Sequence, residues 1–287
     1  MKILFILCEG AHDAQFIGRL LEESGKYSEY EEKLKDYPEI LRDFISGKLQ
    51  RENIDSFRIG RPRYPLIPIA AFFNEKSDLL VLPIPLGGMD KFEDGLALQG
   101  DLREVFDPDI LEFNQSVVKE VNFLFVYDAD ARGRQQTIKE FQDKYRNIVE
   151  TSPALPHATW CFQKNFWIAI FVFTGEDGNT GTLEDLLVNI FRGKNPSLFE
   201  DAEKIMNHHF EKKSESEEQV AYHAKRNKGL LTICGQQEKK NVGSSLTVVL
   251  RDSAILSEAF DFDDTATQWS QLLTVINACQ RKELLTK

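Results

Sequence analysis

The sequence predicts an α/β fold, a parallel sheet flanked by helices and followed by a mainly helical C-terminal part. Three observations predict it. Apolar runs of strand length stand at residues 3–8, 79–84, 121–127 and 166–173. Segments with helical apolar spacing separate them. Acidic residues close two of the runs, Glu9 after the first and Asp128 with Asp130 after the third. Strands alternating with helices favour a parallel sheet covered on both faces, and strands buried on both faces read as unbroken apolar runs.

Taken in order, residues 3–8 form the first strand, and Glu9-Gly10 lies at its carboxyl end. Asp13 is placed to cap a helix that carries Phe16, Ile17, Leu20 and Leu21 at helical spacing. Residues 24–77 look like an insertion with one or two helices, since Leu34, Ile40, Leu41, Phe44 and Ile45 break an otherwise charged stretch. Arg58, Arg61 and Arg63 lie in its basic, proline-containing loop. The second strand, 79–84, leads through Gly87-Gly88 towards a helix, and 121–127 is the clearest strand of all. A polar, basic helix is expected over 134–149, a fourth strand over 166–173, and another helix from 181. Beyond about 195 the pattern is mostly helical, with a charged stretch at Glu211–Glu218. The division expected is an α/β domain over 1–192 and a helical extension over 193–287 packed on it.

Composition narrows the function classes. The net charge of −11 is not that of a default nucleic-acid binder, because phosphate contacts need a basic surface. Bound divalent ions and a local cluster of Lys and Arg can reverse that field. Cys8, Cys161, Cys234 and Cys279 are far apart, which fits a reducing cytoplasm better than a disulfide framework. No stretch approaches the roughly 20 apolar residues that span a bilayer. The apolar N-terminal run is about half the length of a signal-peptide core and ends at Glu9.

The chemistry centres on the acidic strand ends, where ligands of open α/β sheets bind. In extended chain Asp128 and Asp130 point to one side and repel unless a cation lies between them. Mg²⁺ suits such a place: it takes oxygen ligands, one or two carboxylates among them, and keeps several waters. With Glu9 from a neighbouring strand, the site suits phosphoryl transfer. An isolated Asp-x-Asp is also common as a capped turn at a strand end.

Glu9-Gly10 after a buried strand, with Asp13 and a helix carrying Phe16, resembles the first motif of Toprim domains. Phe125-Val126-Tyr127-Asp128-Ala129-Asp130 resembles their second, the Asp-x-Asp motif. The Gly87-Gly88 turn and Gly181-Thr182-Leu183-Glu184-Asp185 resemble the branch of the overcoming-lysogenization-defect (OLD) nucleases and a small Toprim-related bacterial family. The motifs span about two-thirds of the chain, residues 3–190, with a weak further match at Lys225-Arg226-Asn227-Lys228. The resemblance implies Glu9 as general acid/base or metal ligand, and Asp128 and Asp130 as ligands of Mg²⁺ or Mn²⁺. It implies Asp13 as a further carboxylate, Glu184 and Asp185 as a second metal position, and Lys225 or Lys228 facing developing phosphate charge. Arg132 stands where a longer pattern has a third aspartate. No GxxxxGK[ST] occurs, so any ATPase partner is expected on a separate chain.

Other features have two readings each. Thr182 and Asp185 also fit a helix cap, and acidic residues in a first turn favour the helix dipole. His12 either contacts phosphate or belongs to the turn, and His208 with His209 reads as a solvated helix surface. Arg132 and Arg134 either contact phosphate or lie in solvent. Trp160, Phe162, Phe166 and Trp167 suit core packing more often than a base-stacking platform. Three functions are therefore carried forward: a Mg²⁺-dependent nuclease acting on DNA or RNA, a non-catalytic binding or regulatory protein, and a phosphoryl-transfer enzyme on a small phosphorylated substrate.

Overall fold

The computed structural model describes residues 1–30, 33–49, 59, 66–87, 92–114, 116–209, 217–237 and 241–279. Arg58, Arg61, Arg63, Gly88 and the 211–216 part of the charged stretch lie outside them.

The protein is an α/β fold around one mixed sheet. Its parallel core consists of β1 (Lys2–Cys8), β4 (Leu79–Pro85), β5 (Glu120–Asp128) and β7 (Phe166–Phe173). Short antiparallel strands cover the margins: β2 (Ser28–Glu29) and β3 (Phe72–Asn74) beside β4, and β6 (Cys161–Gln163) beside β7. The order is β2-β3-β4-β1-β5-β7-β6. On β4, β3 reaches only Leu79–Val81, so Pro83 and Pro85 fall where β4 has lost that neighbour, a tolerable place for residues without an N–H.

Each parallel strand is apolar over most of its length because both faces are buried, with Asn122 of β5 the buried exception that bonds Glu120. Leu4, Ile6 and Cys8 of β1 face one core, and Ile3, Phe5 and Leu7 face the other. The second core is covered by α2 (Glu39–Leu49), α3 (Phe92–Val105), α4 (Pro108–Phe113) and α5 (Arg134–Lys144). The first is covered by α1 (Ala11–Glu23) and by α6 (Leu183–Lys194), α7 (Pro196–His209) and α8 (Glu217–Gly235). Helices α9 (Leu246–Asp252), α10 (Ala254–Ala259) and α11 (Gln268–Ala278) complete that layer. The helices beyond residue 195 thus share one continuous core with the sheet and α1.

Several expected elements are corrected. Asp13 is not the N-cap of α1 but its third residue. Gly10 is the N-cap, and its N–H donates to Asp13 Oδ2 at 2.7 Å. The insertion contributes two margin strands besides its α-helix, and α5 ends at Lys144 rather than 149. Trp160 and Phe166 are buried in opposite cores, so the aromatic run forms no single platform. Among the described residues no helix is long and apolar enough to cross a membrane.

The topology prepares a site. From β1 the chain passes to β4 on one side, whereas from β5 it passes to β7 on the other. The connections diverge between β1 and β5, and the crevice beyond their carboxyl ends is where open α/β sheets receive ligands.

Candidate functional site

Glu9 is held at that crevice because its N–H donates to Val126 O at 3.0 Å, continuing the β1–β5 pairing past the strand end. Asp128 ends β5. Its N–H lies 3.5 Å from Glu9 Oε2, and its own Oδ1 accepts a 2.8 Å hydrogen bond from Leu183 N. Asp13 is buried in the first turn of α1. Glu184, also buried, projects from the first turn of α6 and meets His12 Nδ1 at 3.2 Å and Lys228 Nζ at 3.3 Å. Two helix N-termini, those of α1 and α6, therefore turn backbone N–H groups towards one set of carboxylates, where the helix dipole favours negative charge.

The dipoles do not offset the cost of collecting these acids. Burial pushes the carboxyls of Asp13 and Asp128 well above the usual range, and each of them is raised further by Glu184 and by Glu9. Glu9 is raised by burial and then by Asp130. Burial acts on Glu184 in the same direction, but its bond to His12 and the Lys228 ammonium outweigh it and hold that carboxyl low. Burial would lower Lys228, yet Glu184, Asp13 and Asp128 keep it above the ordinary lysine value. Lys228 is the lysine that reaches the carboxylates, whereas Lys225 is exposed on the same helix.

Asp130 departs from the extended-chain expectation. Its φ is +50°, and a bridge to Gly181 pins it there through Asp130 N to Gly181 O at 2.9 Å and Gly181 N to Asp130 O at 2.8 Å. Its carboxylate pairs with Arg132 at 2.6 Å. Arg132 also holds Glu140 at 2.8 Å, and Arg134 donates to Thr174 Oγ1 at 3.2 Å. Asp185, the third residue of α6, closes a capping box with the N-cap Thr182: its Oδ2 accepts from Thr182 N at 2.7 Å, and its Oδ1 accepts from Asn227 at 2.7 Å. His223 lies 3.4 Å from the same Oδ1.

Of the residues expected at the site, the structure brings Glu9, Asp13, Asp128, Glu184 and Lys228 together with His12 beside them, while Asp130 is paired with Arg132, Asp185 with Thr182 and Asn227, and Lys225 is exposed. Sequence reasoning missed the roles of Leu183 N, Asn227 and His223. Asn227 lies inside the Lys225–Lys228 match, and its burial is the signal that an alternating charge pattern hides. His157 was also missed. Burial and Arg134 lower it to about 4, so it stays neutral and accepts from Val172 N at 3.0 Å.

Among the described residues no group of three or more His, Cys, Asp or Glu side chains is set to hold a metal ion. The donor set is nevertheless all oxygen and short of cations. A Mg²⁺ site needs only one or two protein carboxylates when water fills the rest. Glu9 and Asp128, joined by the 3.5 Å approach of Asp128 N–H to Glu9 Oε2, would be the pair to hold such an ion.

No protein-family model matches the chain, and no curated protein matches it. Among solved structures it is similar to the crystal structure of a hypothetical protein from Pyrococcus horikoshii OT3, at 15% identity and a TM-score of 0.53. The likeness covers 99% of this chain and 98% of that one, so the α/β fold with its helical C-terminal part is shared end to end.

Proposed function

We propose that the chain is a Mg²⁺- or Mn²⁺-dependent phosphodiester-cleaving protein of the Toprim class, related to its OLD-like branch. The observation that carries this reading is the meeting of Glu9 and Asp128 at the crevice between β1 and β5, backed by Asp13 and Glu184. These are the strand ends at which the Toprim resemblance puts its acids. Glu9 and Asp128 would hold the ion, which would supply charge stabilisation and an activated water. Lys228 is placed to meet negative charge on a phosphate, and the crowding of carboxylates that raises Asp13 and Asp128 is the repulsion a cation relieves. A nucleic-acid substrate, a separate ATPase partner and a cytoplasmic setting belong to the same reading.

A non-catalytic binding protein is the second reading. It is favoured by the Asp130–Arg132 pair, which occupies the second acid of the motif.

Supercoiled plasmid and single-stranded DNA incubated with Mg²⁺, Mn²⁺ or chelator test the proposal, with Asp128→Asn alongside. Metal-dependent cleavage that the variant loses is expected. Absence of cleavage, or cleavage that the variant retains, would move the assignment to the second reading.

A further inference from the structure

Beside the carboxylates lies a cleft of about 700 Å³ between the 175–181 loop, α6 and α8, with Asp130 and Asp185 in its wall. Its volume is that of small-molecule sites. The charges around it decide what it can take. Asp177 accepts from Asn179 N and Thr180 N within its own loop, both at 2.8 Å. Glu176 holds Asn189 at 2.9 Å. Asp130 and Asp185 are engaged as described above. Arg226 is bound to Glu203 and Asn207, and Arg192 is bound to Glu203 and lies over the Phe199 ring. His223 lies against Asp185 at 3.4 Å, so among the described residues the charged side chains of the wall are already partnered.

What the cleft presents instead is neutral. Asn189 donates through Nδ2 to Glu176 and keeps its amide oxygen as an acceptor, with the buried Asn227 behind it. Val188, Ala131 and Ala224 supply apolar surface. Gly175 and Gly181 line the same wall with backbone alone. Asp130 belongs both to this wall and to the surroundings of Glu9.

We propose that this cleft binds one unpaired nucleoside, its uncharged base and sugar, adjoining the phosphate that would lie at Glu9 and Asp128. The identity of the ligand rests on the phosphodiester reading, but its binding needs neither metal nor catalysis. If the cleft takes a single nucleoside, the substrate enters as an unpaired strand or end rather than as a duplex.

Equilibrium dialysis with adenosine, guanosine, cytidine and thymidine in the presence of chelator tests it. Ala224→Trp fills the cleft from α8, and Asn189→Leu removes an acceptor from α6. Lys26→Trp alters a separate cavity between the β2–β3 margin and α11. At least one nucleoside is expected to bind the native chain, with affinity reduced about tenfold or more in a folded cleft variant and unchanged in Lys26→Trp. Lack of binding by all four nucleosides overturns the proposal, as does equal binding by the native chain and both folded cleft variants. Nucleoside binding without plasmid cleavage would retain the cleft and sink only the catalytic reading. Cleavage without nucleoside binding would do the reverse.

Discussion

Asp128 Oδ1 accepts a 2.8 Å hydrogen bond from the backbone N–H of Leu183, joining the end of β5 to the start of α6. The bond holds one buried carboxylate in place while Asp13, Glu184 and Glu9 repel it. Asp128→Asn keeps an acceptor for Leu183 and removes a repelling charge. In chelator near neutral pH the variant is expected to melt higher than the native chain, by about 2–4 °C for each kcal/mol recovered. Mg²⁺ should raise the native melting temperature and leave the variant nearly unmoved. A native chain whose melting ignores Mg²⁺ would contradict the proposed ion site.

The direction of the pH dependence follows from the same groups. Glu9, Asp13 and Asp128 have folded values above their unfolded ones, so the folded chain binds more protons than the unfolded chain in that window. Their contribution is fully present below the ordinary carboxylate range, about pH 4, and is lost as pH rises through the raised folded values. Glu184 acts oppositely, since its folded value is low and its contribution is lost as pH falls through that value. In the window from mildly acidic to neutral pH the three raised carboxyls are opposed by His157, whose folded value of about 4 makes its contribution grow as pH rises towards the free histidine value. With three groups against that one, metal-free stability is expected to decline from mildly acidic to neutral pH. Denaturant midpoints across that range measure the slope, and saturating Mg²⁺ should flatten it. A midpoint that rises steadily with pH in chelator would overturn the charge assignment.

The parallel strands were legible because burial on both faces leaves an unbroken apolar run, as in Phe166–Phe173. The margin strands β2, β3 and β6 were not, since two or three residues carry no readable period. Glu9 and Asp128 could be found because each directly follows such a run. Asp130 misled because a left-handed φ at a non-glycine residue depends on a partner distant in sequence, here Gly181. The choice between Lys225 and Lys228 depended on the rotation of α8 against α6, which tertiary packing sets and local spacing does not.

Lys228→Met tests the cation among the acids. The methionine keeps much of the stem's packing and removes the charge that Glu184 contacts at 3.3 Å. Glu184 is almost fully buried and the lysine side chain nearly half exposed, so the loss should fall between the surface and buried limits, about 1–2 kcal/mol. Urea unfolding measures it. If the lysine meets substrate charge, cleavage should fall far more than this stability loss explains, with the folded fraction held equal. Matching losses would leave Lys228 a structural cation only.

Asp185→Ala separates a cap from a metal ligand. Losing the Thr182 and Asn227 bonds should cost about 1–2 kcal/mol, the upper part of the range for an N-cap. Metal affinity read by calorimetry should stay within a few-fold of native, whereas Asp128→Asn should abolish it. Equal loss of affinity in both variants would return Asp185 to the metal position that its Glu184-Asp185 pairing first suggested.

Gly181 supports both sides of the site, and its replacement separates packing from charge. Its φ is +104°, a conformation that side-chain-bearing residues rarely adopt. An added Cβ would come 2.5 Å from Gly175 N and 2.9 Å from Asp185 Oδ2, so the loop backbone itself would have to move. Gly181→Ala is therefore expected to destabilise by about 2–4 kcal/mol, combining backbone strain with overpacking. The displacement would reach Asp130 through the paired Asp130–Gly181 backbone bonds and Leu183 through the neighbouring cap. No charge is lost in this variant. Its slope of stability against pH should therefore match the native slope while the whole curve falls. Melting curves at several pH values separate the two outcomes. A curve that falls by less than 1 kcal/mol would mean that the 175–181 loop yields easily and does not hold Asp130 in place.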